Sequence, residues 1–162
     1  MKLYIGRHGY AGDPETDPKK ERERPLTSEG KATVLAIAKA MGDVGEIPKV
    51  IFSSPFQRAI MTADIYGKVL GVQVNVIGDL APMRNIDAAL LNLLSYPKCK
   101  RVMIVGHVDN TGPAMKTFDG DTKWKDLVMA EVRRVRMDRD SGDWSLRWGI
   151  KPSDIGCKDY DR

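Results

Sequence analysis

The two histidines of this sequence each follow a short apolar run that is typical of a β-strand. His8 stands in an Arg-His-Gly tripeptide with Arg7 before it, His107 follows a second run, and Arg58 lies just past a third. Open α/β sheets bind ligands beyond the carboxyl ends of their strands, so we expect these four side chains to meet at one sheet edge. Two imidazoles and two guanidiniums in one place predict a phosphate-binding site.

Short β-rich runs alternate with helical periodicity along most of the chain, which predicts parallel strands joined by helices. Strands are predicted at 2–5, 50–52, 72–77 and 101–105. Helices are predicted after the N-cap Thr27, from Ser54-Pro55 to Gly71, and from Asn85 or Asp87 through Leu94. Residues 10–26 are predicted to form a polar loop, because their prolines and charges resist strand pairing and burial.

The last third of the chain has a different pattern. Residues 127–137 are β-rich with a phase slip at Arg133-Arg134 that indicates a bulge, and residues 144–150 alternate cleanly after a turn at 140–143. The sequence therefore predicts an α/β fold: a three-layer α/β/α sandwich whose central sheet is mixed, mostly parallel, and ends in a C-terminal β-hairpin. We expect a single domain over residues 1–152 and a polar, frayed tail over residues 153–162.

Composition limits the partners and the compartment. The 162 residues include 26 basic and 22 acidic side chains that interleave, which favours a solvated surface over a nucleic-acid site. Cys99 and Cys157 lie in no metal-binding or disulfide pattern, which suits a reducing environment. The sequence contains no apolar signal core and no run long enough to span a membrane, so we expect a cytoplasmic protein without membrane contact.

Four motifs resemble those of the histidine phosphatase superfamily. They are Arg-His-Gly at 7–9, Arg-Pro-Leu-Thr at 24–27, Ser-Ser-Pro-Phe-Gln-Arg-Ala at 53–59 with Thr-Ala at 62–63, and Val-Gly-His at 105–107. The order of the motifs matches the family, and the likeness runs from residue 2 to about residue 150. The short length and the Arg-Pro-Leu-Thr motif are similar to the phosphohistidine phosphatase branch, the SixA type. The resemblance implies a phosphoglycerate mutase-like fold.

The resemblance also implies a mechanism that these residues are able to perform. His8 would attack phosphorus and become a transient phosphohistidine, which water then hydrolyses. Arg7 and Arg58 would clamp the phosphoryl oxygens, and His107 would donate a hydrogen bond to one of them. The nearby cations should keep the His8 imidazole neutral by like-charge repulsion.

The proton donor for the leaving group is the least determined part of the prediction. Related phosphohistidine phosphatases often have an acidic residue directly after Arg-His-Gly or just upstream of Arg-Pro-Leu-Thr. Tyr10 occupies the first position here, and Glu21 fits the second, with Asp17 and Asp13 as alternatives in the loop. Phosphohistidine has a leaving group that is easier to expel than an alkoxide, which relaxes the demand for a strong acid.

Several functional interpretations remain at this point. His107 and Asp109 could suggest a metal pair, but no third ligand accompanies them, so we expect no metal and no cofactor. The favoured function is a phosphatase acting on a phosphorylated protein, in particular phosphohistidine. A small phosphoester is the alternative substrate. A noncatalytic phosphate-binding module that lacks an effective acid is the alternative from another class of function.

Overall fold

The computed structural model describes residues 1–84, 100–119, 126–138 and 140–161. The strands in these ranges are β1 Lys2–Arg7, β2 Val50–Ser53, β3 Val74–Val76, β4 Arg101–Gly106, β5 Val132–Met137 and β6 Trp144–Ile150. The helices are α1 Pro18–Glu23, α2 Ser28–Asp43, α3 Gln57–Leu70 and α4 Val108–Asp119, with 3₁₀ helices at Gly78–Leu80 and Pro152–Ile155. The helix predicted between Asn85 and Leu94 lies outside the described residues, as does Cys99.

The described strands form one six-stranded sheet in the order β3-β2-β4-β1-β5-β6. Strands β1 to β4 run parallel to one another, whereas β5 pairs antiparallel with β1 and with β6. The mixed, mostly parallel sheet with a C-terminal hairpin is therefore confirmed. Parallel strands end at the same edge, and the chain remains paired just past them: His8 N donates to Gly106 O at 3.0 Å, and Ser54 N donates to Val105 O at 3.0 Å.

Apolar side chains cover both faces of the sheet, which places helices on both sides. On one face Tyr4 and Ile51 pack with the inward side chains of α2 and α3. On the other face Leu3 and Ile5 pack with Ala114 of α4. Burial on both faces explains why the parallel strands are almost continuously apolar. The predicted three-layer α/β/α architecture is confirmed, and none of the helices in the described ranges has the length and apolar character needed to cross a membrane.

The helices α2 and α3 begin in different ways. Thr27 caps α2 as predicted, its Oγ1 accepting from Gly30 N at 3.0 Å. The prediction that Ser54-Pro55 opens the next helix is wrong, because α3 begins at Gln57 with no side-chain cap. The Ser54 hydroxyl lies 2.8 Å from His107 Nε2 instead, so this side chain belongs to the candidate site. Helix α3 ends at Gly71 in the left-handed conformation, as predicted.

The long polar segment after β1 contains a short helix that the sequence analysis missed. Asp17 accepts hydrogen bonds from Lys19 N at 2.8 Å and Lys20 N at 3.0 Å, and Pro18 occupies the first turn of α1. Asp followed by Pro is an N-terminal helix signal as well as a turn signal. The prediction of an uninterrupted loop over residues 10–26 is therefore wrong, and α1 carries Glu21 toward the sheet edge.

The terminal hairpin forms as predicted, but its β-bulge lies on β6 and not on β5. Arg134 is opposite Trp148 and Val135 is opposite Leu146, which leaves Arg147 of β6 as the extra residue. The two buried residues of β5, Val132 and Val135, lie on opposite faces of the sheet. An apolar residue on each face imitated a phase slip in the sequence, so the bulge predicted at Arg133-Arg134 belongs to β6.

The C-terminal tail is ordered against the domain rather than frayed. Pro152–Ile155 forms a 3₁₀ helix, and Met129 N donates to Tyr160 O at 2.7 Å. The aromatic ring of Tyr160 stacks on Tyr10 with 4.1 Å between ring centroids. The expectation of a frayed tail is wrong because backbone and aromatic contacts hold this polar segment in place.

Candidate active site

The four residues selected from the sequence lie together at the carboxyl edge of the sheet. His8 follows β1, His107 follows β4, and their ring centroids are 5.1 Å apart. Arg58, in the first turn of α3, lies between them: its Nε is 3.2 Å from His8 Nε2 and its Nη2 is 3.4 Å from His107 Nδ1. All four residues are buried, with at most 5% of their surface exposed: Arg7, His8, Arg58 and His107.

One hydrogen bond assigns the proton on the His8 ring. His8 Nδ1 lies 2.8 Å from the carbonyl oxygen of Gly9, which can only accept, so Nδ1 carries the proton. Nε2 is then unprotonated, and its lone pair accepts a hydrogen bond from Arg58 Nε. A neutral imidazole held in this tautomer presents Nε2 as a nucleophile.

Both imidazoles are held neutral. Burial lowers the pKa of His8 to about 3, with Arg58 and Arg7 acting in the same direction and the bond to Gly9 opposing them. Burial also lowers the pKa of His107 to about 2, and His8 and Arg58 add to the effect. The sequence analysis attributed the neutral form to repulsion between cations, but loss of solvation is the larger cause.

Two side chains that the sequence analysis did not assign position His107. Ser54 Oγ lies 2.8 Å from its Nε2. Asn110 Oδ1 accepts from the backbone N of His107 at 2.8 Å, and Asn110 Nδ2 donates to Ala81 O at 2.9 Å. Ser54 belongs to the Ser-Ser-Pro motif, whose position beside Arg58 was the available signal. A buried Asn three residues after the histidine has no comparable signal in a single sequence.

Arg7 is fixed by neutral acceptors rather than by a carboxylate. Its Nη1 donates to Leu127 O at 2.6 Å and to Asp161 O at 2.9 Å. Its Nε is buried and has no hydrogen-bond partner within the described residues. Carbonyl oxygens orient the guanidinium without neutralising its charge, so the positive charge of Arg7 can act on an anion in the adjacent cavity.

Glu21, the predicted proton donor, forms ion pairs in the structure. Its Oε1 lies 2.8 Å from Arg24 Nη2 and 3.0 Å from Arg58 Nη2, and its Oε2 accepts from Arg24 Nε and from Glu15 N. Burial alone would raise its pKa, but hydrogen bonds from Arg24 and Glu15 and the charges of both arginines lower it to about 2. At neutral pH this carboxylate holds no proton to donate.

The alternative loop acids are placed differently. Asp17 caps α1 with its side chain, and Asp13 is exposed. Four other carboxylates lie near the site and interact electrostatically with Arg7: those of Asp109, Asp126, Glu131 and, from the C-terminal tail, Asp161. The sequence analysis considered only Asp109 among these, as a metal ligand. Within the described ranges no group of three or more His, Cys, Asp or Glu side chains is arranged to hold a metal ion.

A cavity of about 380 Å³ opens beside His8. Its walls include Arg7, Met129, Asp126 and Asp161. His8 and the cationic side chains of Arg7 and Arg24 thus line the same cavity. This arrangement is suited to bind an oxyanion and to attack it.

A sequence model of the histidine phosphatase superfamily (branch 1) matches residues 3–86, just over half of the chain. The chain belongs to the histidine phosphatase superfamily. This histidine phosphatase is 32% identical over 115 residues, which are 69% of each chain, to an uncharacterised protein of Picosynechococcus sp.. It is 25% identical to phosphohistidine phosphatase SixA of Escherichia coli over 160 residues, which are 96% of each chain.

The fold of this histidine phosphatase also matches a solved structure, that of the protein histidine phosphatase SixA complexed with tungstate. The TM-score is 0.81 at 24% identity, and the match covers 96% of this chain and 99% of that one. The likeness to SixA thus extends over the whole fold, including the C-terminal hairpin. The protein is a phosphatase and acts on a phosphorylated substrate.

Proposed function

We propose that this phosphatase hydrolyses phosphohistidine on a protein through a covalent phosphohistidine intermediate on His8. The observation that carries the proposal is the state of the His8 ring. Gly9 O fixes the proton on Nδ1, burial keeps the ring neutral, and Nε2 points toward the cationic side chain of Arg58. A nucleophile and an anion-binding group thus lie within hydrogen-bonding distance of each other.

The chemistry proceeds in two steps. The Nε2 lone pair of His8 attacks phosphorus, an N–P bond forms, and the bond from phosphorus to the leaving group breaks. A water molecule then attacks the phosphohistidine, which releases inorganic phosphate and returns the electron pair to Nε2. Arg7 and Arg58 stabilise the negative charge on the phosphoryl oxygens in both steps.

His107 acts as a hydrogen-bond donor in this scheme. In the structure Arg58 Nη2, which can only donate, lies 3.4 Å from His107 Nδ1, so Nδ1 accepts and the ring proton lies on Nε2, which donates to the Ser54 hydroxyl. A phosphoryl oxygen that takes over the hydrogen bond from Arg58 Nη2 allows the ring proton to move to Nδ1, where His107 donates a hydrogen bond to that oxygen while the Ser54 hydroxyl donates to Nε2. Ser54 is therefore a positioning residue that can bond to His107 Nε2 in either tautomer.

Glu21 acts in this proposal by holding Arg58 and Arg24, because its carboxylate is ionised and fully engaged. A site in which the predicted acid is unprotonated favours a leaving group that departs without strong protonation. The imidazole of phosphohistidine is such a leaving group, and an alkoxide is not. This reasoning supports a phosphoramidate substrate over an alkyl phosphate.

The walls of the cavity beside His8 support the same substrate class. Asp126 and Asp161 line this cavity, together with the cationic residues Arg7 and Arg24. Because Arg24 is already paired with Glu21, the two acidic residues remain available to interact with a leaving group. They repel a leaving group that carries its own carboxylate and accommodate a neutral or cationic one. The SixA relative from Escherichia coli is a phosphohistidine phosphatase, which agrees with this interpretation.

Turnover by the wild-type protein and by His8→Ala tests the proposal. A phosphohistidine peptide and an alkyl sugar phosphate are compared as substrates at equal concentration. We expect the wild-type protein to prefer the peptide and His8→Ala to lose turnover of both. Substantial turnover by folded His8→Ala would refute the nucleophile, and a wild-type preference for the sugar phosphate would refute the substrate class.

A further inference from the structure

The segment Lys158–Asp161, called here the C-terminal segment, contacts three parts of the chain that surround the phosphate site. Tyr160 O accepts from Met129 N at 2.7 Å, just before β5. The Tyr160 ring stacks on Tyr10 at 4.1 Å with an interplanar angle of 11°. Its hydroxyl donates to Glu29 Oε1 at 2.7 Å in the first turn of α2. These contacts fix the backbone that follows Tyr160.

The next residue reaches the catalytic edge directly. The carbonyl oxygen of Asp161 accepts from Arg7 Nη1 at 2.9 Å, and Leu127 O accepts from the same nitrogen at 2.6 Å. Two acceptors on one nitrogen determine where the rest of the guanidinium lies, including its unpaired and buried Nε. The position of the Nε–H group therefore depends on the carbonyl oxygen of Asp161.

We propose that the C-terminal segment is part of the substrate site, because the backbone carbonyl of Asp161 orients Arg7 toward the phosphoryl group. The proposal rests on the proposed function of Arg7 as a phosphoryl clamp. Tyr160 is the anchor of the segment, and Asp161 supplies the carbonyl oxygen that contacts Arg7. The segment also supplies a wall of the cavity beside His8, through Asp161.

Removing the C-terminal segment tests whether it orients Arg7 or only stabilises the fold. Weaker phosphate binding by a folded truncated protein indicates the first role. Truncation after Cys157 removes residues 158–162, which carry two cationic and two anionic side chains, so their net charge is zero. The 3₁₀ helix Pro152–Ile155 is retained. A change in anion affinity after this truncation cannot then be attributed to net charge.

The measurement is the affinity for inorganic phosphate by titration calorimetry, with the melting temperature recorded for each variant. We expect the truncated protein to bind phosphate about tenfold more weakly, the effect of losing one hydrogen bond to a charged group. Asp161→Asn is the matched control, because it removes the carboxylate and keeps the backbone carbonyl. It should bind phosphate at least as tightly as the wild type.

Three further substitutions, Arg7→Ala, Tyr160→Ala and Tyr160→Phe, keep the test decisive. In the Arg7→Ala background the truncation should cause no further loss of phosphate affinity, because the segment acts through Arg7. If the truncated chain does not fold, Tyr160→Ala replaces it, with Tyr160→Phe as the control that keeps the ring stacked on Tyr10. We expect weaker phosphate binding by Tyr160→Ala than by Tyr160→Phe.

The outcomes separate this proposal from the proposed function. Wild-type phosphate affinity in the folded truncated protein, or in Tyr160→Ala when the truncated chain does not fold, would overturn the role of the segment. An equal loss with and without Arg7 would overturn it too. Phosphate affinity is measured at equilibrium and needs no turnover. Failure of the covalent mechanism would appear separately, as activity that survives in His8→Ala.

Discussion

The ion pairs of Glu21 lead to a prediction that separates positioning from proton donation. Glu21→Gln removes the negative charge that holds Arg58 and Arg24 while keeping the size of the side chain. A general acid would be needed most for a poor leaving group, so its loss would slow alkyl phosphate hydrolysis more than phosphohistidine hydrolysis. A residue that positions Arg58 affects both reactions through the same phosphoryl group. We expect equal proportional losses on the two substrates.

The expected decrease in kcat/KM for Glu21→Gln follows from the contact between Glu21 and Arg58. A hydrogen bond to a charged group contributes about 1.5–3 kcal/mol net. The Glu21 side chain is 23% exposed, so water partly replaces the lost contact and the lower end of this range applies. A loss of about 1.4 kcal/mol corresponds to about a tenfold fall in kcat/KM.

The pH profile provides a second signal from the same variant. Burial lowers the pKa of Arg58 to about 10, and the Glu21 carboxylate acts against that fall. Without the carboxylate the pKa of Arg58 should decrease further, so the alkaline limb of kcat/KM should move to lower pH. A general acid at position 21 would itself produce an alkaline limb, which Glu21→Gln would remove rather than move.

The assay compares Glu21→Gln with Glu23→Gln, an exposed residue of the same helix that makes the same change in charge. Steady-state rates are measured on a phosphohistidine peptide and on an alkyl phosphate from pH 5 to about 10.5, a range that spans the lowered pKa of Arg58. A loss confined to the alkyl phosphate, with the alkaline limb removed rather than moved, would refute the positioning role and restore Glu21 as the acid.

Other predictions follow from the charges of the site. Below pH 6.5 the unfolded chain binds protons on His8 and His107, whereas in the folded chain their pKa values are lowered to about 3 and about 2. The free energy of unfolding should therefore decrease as the pH is lowered. Each histidine contributes about 1.4 kcal/mol per pH unit, and His8→Ala should show a shallower fall in urea unfolding between pH 6 and 4; slopes equal to the wild type would contradict the neutral, buried assignment. Activity should survive EDTA, because hydrogen-bond donors from Arg7, Arg58 and His107 stabilise the phosphoryl oxygens in place of a metal ion. Inactivation by EDTA that added divalent ions reverse would contradict this.

The sheet and the central residues of the site were predictable because strand ends have a clear sequence signature. His8 and His107 each follow an apolar run, and parallel strands bring such positions to one edge. Arg58 was located in the same way, by its distance from β2. The three layers were also predictable, since strands that are apolar on both faces require helices on both sides.

The features that were missed depend on backbone contacts or on geometry between distant segments. The carbonyl of Asp161 that holds Arg7 is a backbone atom, so no side-chain pattern identifies it. The ionised state of Glu21 depends on two arginines that reach it from different parts of the chain. The bulge was assigned to the wrong strand because two-sided burial of β5 and a true phase slip give the same sequence pattern.

The central claim is that His8 Nε2 forms a bond to phosphorus, and trapping the intermediate tests it most directly. The protein is mixed with phosphate-labelled substrate, quenched within milliseconds in base, and digested for identification of the labelled peptide by mass spectrometry. The account predicts one label on His8 that is stable in base and released in acid, absent from His8→Ala and present in Glu21→Gln. An acid-stable label, a label on another residue, or product formation with no label during rapid turnover would contradict it.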